Sequence, residues 1–205
     1  MHFNPYTILP IFSMFLSLSV GIFVISNNHR PGINRIFFIF CLTLTIWFSY
    51  YVLLNFRISE RSFLIWTRII YAVISFVPIM LFTFVTKFLN MERFKRWFLI
   101  NLIIGFIVAF LTIFTKFIIA GFIYYPWYQY PKAGTLHLIF VAHTMYLLIY
   151  MIIILNKAEK IYEHNTKLLN QTKYVRIACY IFSLCAIDIL IFPRKSGHNE
   201  ELVLA

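Results

Sequence analysis

The sequence predicts an all-α fold, a polytopic bundle of six transmembrane helices, and three observations carry that reading. Of the 205 residues, 61% are hydrophobic and only 12% are charged, about half the charged fraction of a soluble domain that must face water. Apolar runs of about 18 to 25 residues recur, each long enough to cross the roughly 30 Å of hydrocarbon in a bilayer. The basic residues gather in alternate breaks between those runs, which gives the bundle a direction.

The runs fall at about 6–26, 36–56, 63–89, 97–117, 135–155 and 174–192. The first has no basic segment ahead of it and no small-residue cleavage site behind it, so it reads as a span rather than a cleaved signal. The breaks are short, which predicts one transmembrane domain over 1–192, without linker, internal repeat or low-complexity tract. From 193 to 205 the chain turns abruptly polar ("PRKSGHNEELVLA") and reads as an unrelated, disordered tail.

The net charge of +11 is distributed as a membrane protein distributes it. Three breaks hold Arg30 and Arg35; Lys87, Arg93, Lys95 and Arg96; and Lys157, Lys160, Lys167, Lys173 and Arg176. The positive-inside rule makes these connections cytoplasmic and the N-terminus external. The basic excess then meets anionic lipid, and no nucleic-acid partner is expected. Six spans from an external N-terminus leave Arg194 and Lys195 on the external side, against the rule, as though a seventh span were missing.

The third run, "SERSFLIWTRIIYAVISFVPIMLFTFVTKFL", carries the residues that need a reason. Arg68 stands about five residues inside the outer end, roughly 7 Å deep at 1.5 Å per residue, within snorkelling reach of headgroups. Lys87 obeys the topology. Pro78 removes a backbone donor and predicts a kink, with neighbouring helices or Ser75 covering the freed carbonyl. Asp188 in the sixth run falls at nearly the depth of Arg68, and an intramembrane acid seeks a partner. Arg68 and Asp188 are therefore a candidate pair, with independent solvation of the two charges as the plainer account.

The other elements read as follows. Ser13, Ser17 and Gly21 repeat every four residues on the first span, and Asn101, Gly105, Ala109, Thr112 and Lys116 repeat every three or four on the fourth. Such stripes let helix backbones approach; packing within the chain is the first reading and a homodimer seam the second. The external connection after the fourth span contains "YYPWYQY", in which Tyr124, Tyr125, Trp127 and Tyr130 suit interfacial anchoring or an aromatic lid over a ligand. The segment 156–173 lacks Gly and Pro, and Glu163 precedes Lys167 by four residues, a favourable helical spacing. The fifth helix should therefore continue past Leu155 by at least a turn, with any break near Asn165 or Asn170.

Catalytic and metal signatures are absent from the sequence: no His-Glu-x-x-His, no Gly-x-Ser-x-Gly, no glycine-rich phosphate loop. His137 and His143, six residues apart, do not share a helical face for a metal. Cys41, Cys179 and Cys185 lie in spans and read as small apolar side chains. No enzyme activity, metal or cofactor is expected.

The pattern Trp66-x-Arg68, then Phe76-x-Pro78 and Phe84, resembles the third span of the N-terminal seven-transmembrane region of bacterial sensor histidine kinases. "NNHRPGINRIFFIFCLTLTIWFSYYVL", with Asn34-Arg35 opening the second span and Trp47 within it, is similar to the same family, as are the placements of Gln171 and Asp188. The resemblance covers about 11–192. It implies a sensory input domain of two-component signalling in the bacterial inner membrane, responding to an external or membrane-borne ligand. After Ile191 the resemblance ends, and the expectation is an input domain stopped short of its seventh span and output module, as by a frameshift. The alternative is a small integral-membrane transporter or accessory protein, disfavoured because deep charges are few and no repeat is visible.

Overall fold

The computed structural model describes residues 7–27, 31–54, 59–91, 94–125 and 128–185, without the side chains of Lys95, Tyr124, Tyr125, Tyr128, Gln129 and Cys185. Seven helices and one hairpin follow in order: α1 (Ile8–Ser26), α2 (Pro31–Leu53), α3 (Glu60–Ile74), α4 (Val77–Phe88), α5 (Lys95–Phe114), β1 (Ile119–Tyr125), β2 (Tyr128–Ala133), α6 (His137–Ile161) and α7 (Thr166–Cys185). The fold is an all-α helical bundle which, among the described residues, has five helical stretches long and apolar enough to span a membrane, α3 and α4 counting together as one.

Two boundaries differ from the six-span expectation. The second helix begins at Pro31 rather than near 36, because proline suits the first turn of a helix, where its missing N–H would be unpaired anyway. The sixth apolar run is part of a helix that begins earlier, at Thr166. Lys167, Lys173 and Arg176 occupy its first three turns, so its described length does not qualify as a span; residues 186–192 of that run lie outside the described residues, as does the tail 193–205. The fifth helix continues six residues past Leu155 and breaks at a turn ending in Asn165, whose side-chain oxygen accepts from the Leu168 amide at 3.2 Å and starts α7.

The third run is the centre of the bundle. In its most apolar window 72% of residues are buried, against 6% for α1, so α3–α4 is wrapped by its neighbours while α1 lies at the edge of the bundle, packed on α2. The helix breaks at Ser75–Phe76, one turn before Pro78, which sits in the first turn of α4. There the Phe76 amide bonds Val73 O at 3.1 Å, three residues back instead of four. That shift leaves the Ala72 carbonyl without its helical donor, and the Ser75 hydroxyl bonds it at 2.7 Å while lying 3.5 Å from Gly105 O on α5. Gly105 allows this approach: a Cβ there would stand 2.6 Å from Ile79 Cδ1 and 3.2 Å from Phe76 Cε1.

The small-residue stripes are used inside the chain. Asn101, Gly105, Ala109 and Thr112 are buried, while Lys116 at the end of that stripe is exposed. On α1, Ser17 Oγ donates to Cys41 O at 3.0 Å. A Cβ on Gly21 would lie 2.8 Å from Cys41 Cβ, an atom held by backbone that cannot swing away. Gly21→Ala should therefore separate α1 from α2 and lower stability by about 1–3 kcal/mol, the usual cost of overpacking. Thermal unfolding in detergent measures it, and Cys41→Gly in the same chain should recover part of the loss.

Candidate functional site: a clamped hairpin and a basic end

The connections sort to two ends of the bundle. The starts of α2 and α5 and the end of α4 line one groove, with Pro31, Lys87 and Phe94 among its walls. Tyr162, just after α6, places its hydroxyl 3.5 Å from Leu89 O after α4. The first, third and fifth connections thus share an end, which also carries Arg35, Lys87, Arg96, Lys157 and Lys160. At the opposite end the core is aromatic: Trp47, Tyr50, Phe63, Tyr71 and Phe140 form one cluster with Ile118 and Ile119 of the hairpin base.

The connection between α5 and α6 folds as an antiparallel β-hairpin. Ile123 pairs with Tyr130, Tyr124 with Gln129 and Tyr125 with Tyr128, and a bulge falls between Ile119 and Gly121. Phe122 packs on Phe63 at 4.8 Å between ring centroids, which seats the hairpin on the start of α3. The base is closed by Gly134 N–H bonding Ile118 O at 2.9 Å and Leu136 N–H bonding Phe117 O at 2.8 Å. A Cβ on Gly134 would meet Phe117 O at 2.2 Å and Lys116 O at 2.4 Å, so only glycine fits there.

Arg68 joins this hairpin to the central column. Its Nη2 donates to Ile119 O at 3.2 Å. Its Nε is buried with no hydrogen-bond partner among the described residues, and the Thr67 hydroxyl beside it is in the same condition. A guanidinium at this depth is costly to leave unsatisfied, so the Ile119 carbonyl that it holds is a firm link between hairpin and helix. Asp188, its candidate partner, lies outside the described residues. Of the four aromatic candidates, Tyr130 is half-buried against the aromatic cluster; Trp127 lies outside the described residues, as do the side chains of Tyr124 and Tyr125.

Two polar contacts were not anticipated from sequence. Asn101 Nδ2 donates to Trp97 O at 2.7 Å, and its Oδ1 lies 3.1 Å from His143 Nε2, tying α5 to α6 within the membrane. Near the basic end Arg176 Nη1 meets Glu159 Oε2 at 3.0 Å and Asn156 Oδ1 at 3.0 Å, latching α7 to α6. The partners lie 42 and about 20 positions apart in the chain, so no local spacing announces either pair; the signal available was the scarcity of acids, seven in all, which makes each intrahelical Glu worth a partner search. Cys41 and Cys179 are buried free thiols, with Cys179 Sγ 3.7 Å from Met151 Sδ. No cluster of three metal-ligating side chains occurs among the described residues.

These features define a multi-pass helical membrane protein with distinct ends, one clamped by a hairpin and one basic. The family model describing the N-terminal 7TM region of histidine kinase matches residues 9–191, and the chain belongs to that family. No curated protein and no solved structure gives a significant match. Of the residues that carry the resemblance, Trp47 is buried edge-on to Phe182 at 6.3 Å, Asn34 Nδ2 closes the first connection on Asn27 O at 2.7 Å, Phe76 sits edge-on to Phe106 at the break, and Trp66 and Gln171 are exposed.

Gly134→Ala should open the hairpin base. Because the opposing atoms are backbone carbonyls, the strain cannot be relieved by a rotamer change. The expected readout is faster hydrogen exchange across 119–133, with the amides of α4 unchanged.

Proposed function

We propose that the chain is a membrane sensory input domain that registers a signal at the hairpin end and conveys it along the α3–α4 column to α6 and α7 at the basic end. The observation that carries this reading is the Arg68–Ile119 contact. It couples the hairpin to a central helix whose break at Ser75 offers a place for two halves to reorient, and membership of a histidine kinase input family supports the role. The ligand class is external or membrane-borne. Tyr124, Tyr125, Trp127 and Tyr130 are the proposed contact aromatics, and Asp188 is the proposed acid for the free edge of Arg68. The domain works without a cofactor and has no catalytic group of its own.

The orientation that goes with this reading places the basic end in the cytoplasm of a bacterial inner membrane and the N-terminus outside. The concentration of basic residues in three connections that meet at one end supports it. A thiol placed at position 165 of the otherwise cysteine-free chain should resist a membrane-impermeant reagent in intact cells and react after permeabilisation. Labelling from outside would reverse the orientation.

Transmission is tested with spin labels at exposed Ile153 on α6 and Ile177 on α7. Arg68→Ala, which frees the hairpin from α3, should shift or broaden the α6–α7 distance distribution. An unchanged distribution in a folded variant would show that the two ends are uncoupled.

A further inference from the structure

At the basic end, the groove between α2, α4 and α5 has a volume of about 770 Å³, within the range of small-molecule sites. Exposed Gly32, Lys87 and Asn90 line it, so it is open to its surroundings. Its lining is graded along the helix axes. Gly32, Lys87 and Asn90 stand nearest the bundle end. Seven residues further along, about 10 Å at 1.5 Å per residue, stand Ile39 on α2 and Met80 on α4, while Phe98, in the first turn of α5, lines the groove between the two levels. Between the two levels, Thr83 and Thr86 direct their hydroxyls to the carbonyls of Ile79, Phe82 and Thr83 on their own helix, which leaves that wall without a free donor.

The described charges at the mouth are basic. Lys87 is exposed and makes no ion pair among the described residues. No described lining residue is acidic; Glu92 and Arg93 lie outside the described residues. Arg35, adjacent to lining residue Ile36, and Arg96, two before Phe98, are both exposed. A cation at the membrane surface above an apolar channel at membrane depth matches an amphiphile with a negative head. A soluble anion would leave about 10 Å of apolar wall uncovered, and a zwitterionic head would bring its own cation beside Lys87.

We infer that this groove binds one anionic phospholipid from the surrounding leaflet, its phosphate against Lys87 and its acyl chains along Ile36, Ile39, Met80 and Phe98. The inference needs only the membrane setting and is independent of the sensory role. A lipid so placed would brace α2 against the α4–α5 turn.

The full chain, delipidated in detergent, is titrated with phosphatidylglycerol or phosphatidylcholine, and the singly bound species is followed by native mass spectrometry. Phosphatidylglycerol should be retained preferentially. Lys87→Gln should weaken its retention about fivefold, the effect of one surface lysine on an anionic lipid, while Lys87→Arg restores it. Lys157→Gln, which removes an exposed charge at the same end but outside the groove, should change little. Met80→Trp, which narrows the apolar wall, should lower retention of both lipids, and glycerol phosphate alone should not compete. Equal retention of the two lipids, equal losses in Lys87→Gln and Lys157→Gln, or displacement by glycerol phosphate would each overturn the inference.

Discussion

A helix broken inside hydrocarbon must satisfy its own freed backbone groups, because the bilayer core supplies neither donor nor acceptor. That requirement is met at Ser75–Phe76, where the Ser75 hydroxyl bonds Ala72 O while Gly105 brings the α5 backbone alongside. The rest of the bundle is arranged around this point. The α3 half above the break belongs to the aromatic cluster with Tyr71 and Ile74, and the α4 half below it belongs to the aliphatic cluster with Val77, Ile79 and Phe82. The two clusters meet at Leu44 and Phe182, which pack against both. A change in angle at the break would therefore be felt by both halves of the core.

The two ends use different physics. At the hairpin end, burial and hydrogen bonding act together: Ile118 and Ile119 are almost fully buried, and the Ile119 carbonyl, beside the bulge, accepts from Arg68. At the basic end the α6–α7 contact is partly exposed. Arg176 reaches Glu159 and Asn156 with part of its side chain in contact with the surroundings, an arrangement whose energy is modest and sensitive to screening.

Apolar side chains on the outside of the bundle are not a defect in this setting. Leu9, Phe12, Phe15 and Phe23 of α1 are exposed, as are Phe106 and Phe110 of α5. In water such surfaces would signal association or aggregation; in lipid they are the expected exterior, since acyl chains solvate them. Helix association there depends on close fit rather than on burial from water, which is why Gly21 and Gly105 sit where α1 meets α2 and where α5 meets the helix break, and why the stripes around them are occupied by neighbours in the same chain.

The number and placement of apolar runs made the helical membrane fold legible in the sequence, and Trp47, Arg68, Phe76 and Pro78 made the family legible, because length, hydropathy and short-range spacing are properties of single elements. The extension of α6 past Leu155 and a break near Asn165 were legible for the same reason, since the stretch lacks Gly and Pro and Asn165 stands within it. Other features needed the packed chain. "YYPWYQY" has no turn dipeptide of the usual hairpin kind, and its strands form where the bulge and the Phe63–Phe122 contact seat them on α3. The break at Ser75–Phe76 faces Gly105, thirty residues away. The donors to Ile119 O and Asn101 Oδ1 come from 51 and 42 positions off. Periodicity determines which residues turn inward on one helix, whereas the partner that an inward polar group meets is set by which helices pack together, and that is decided only when the whole bundle closes.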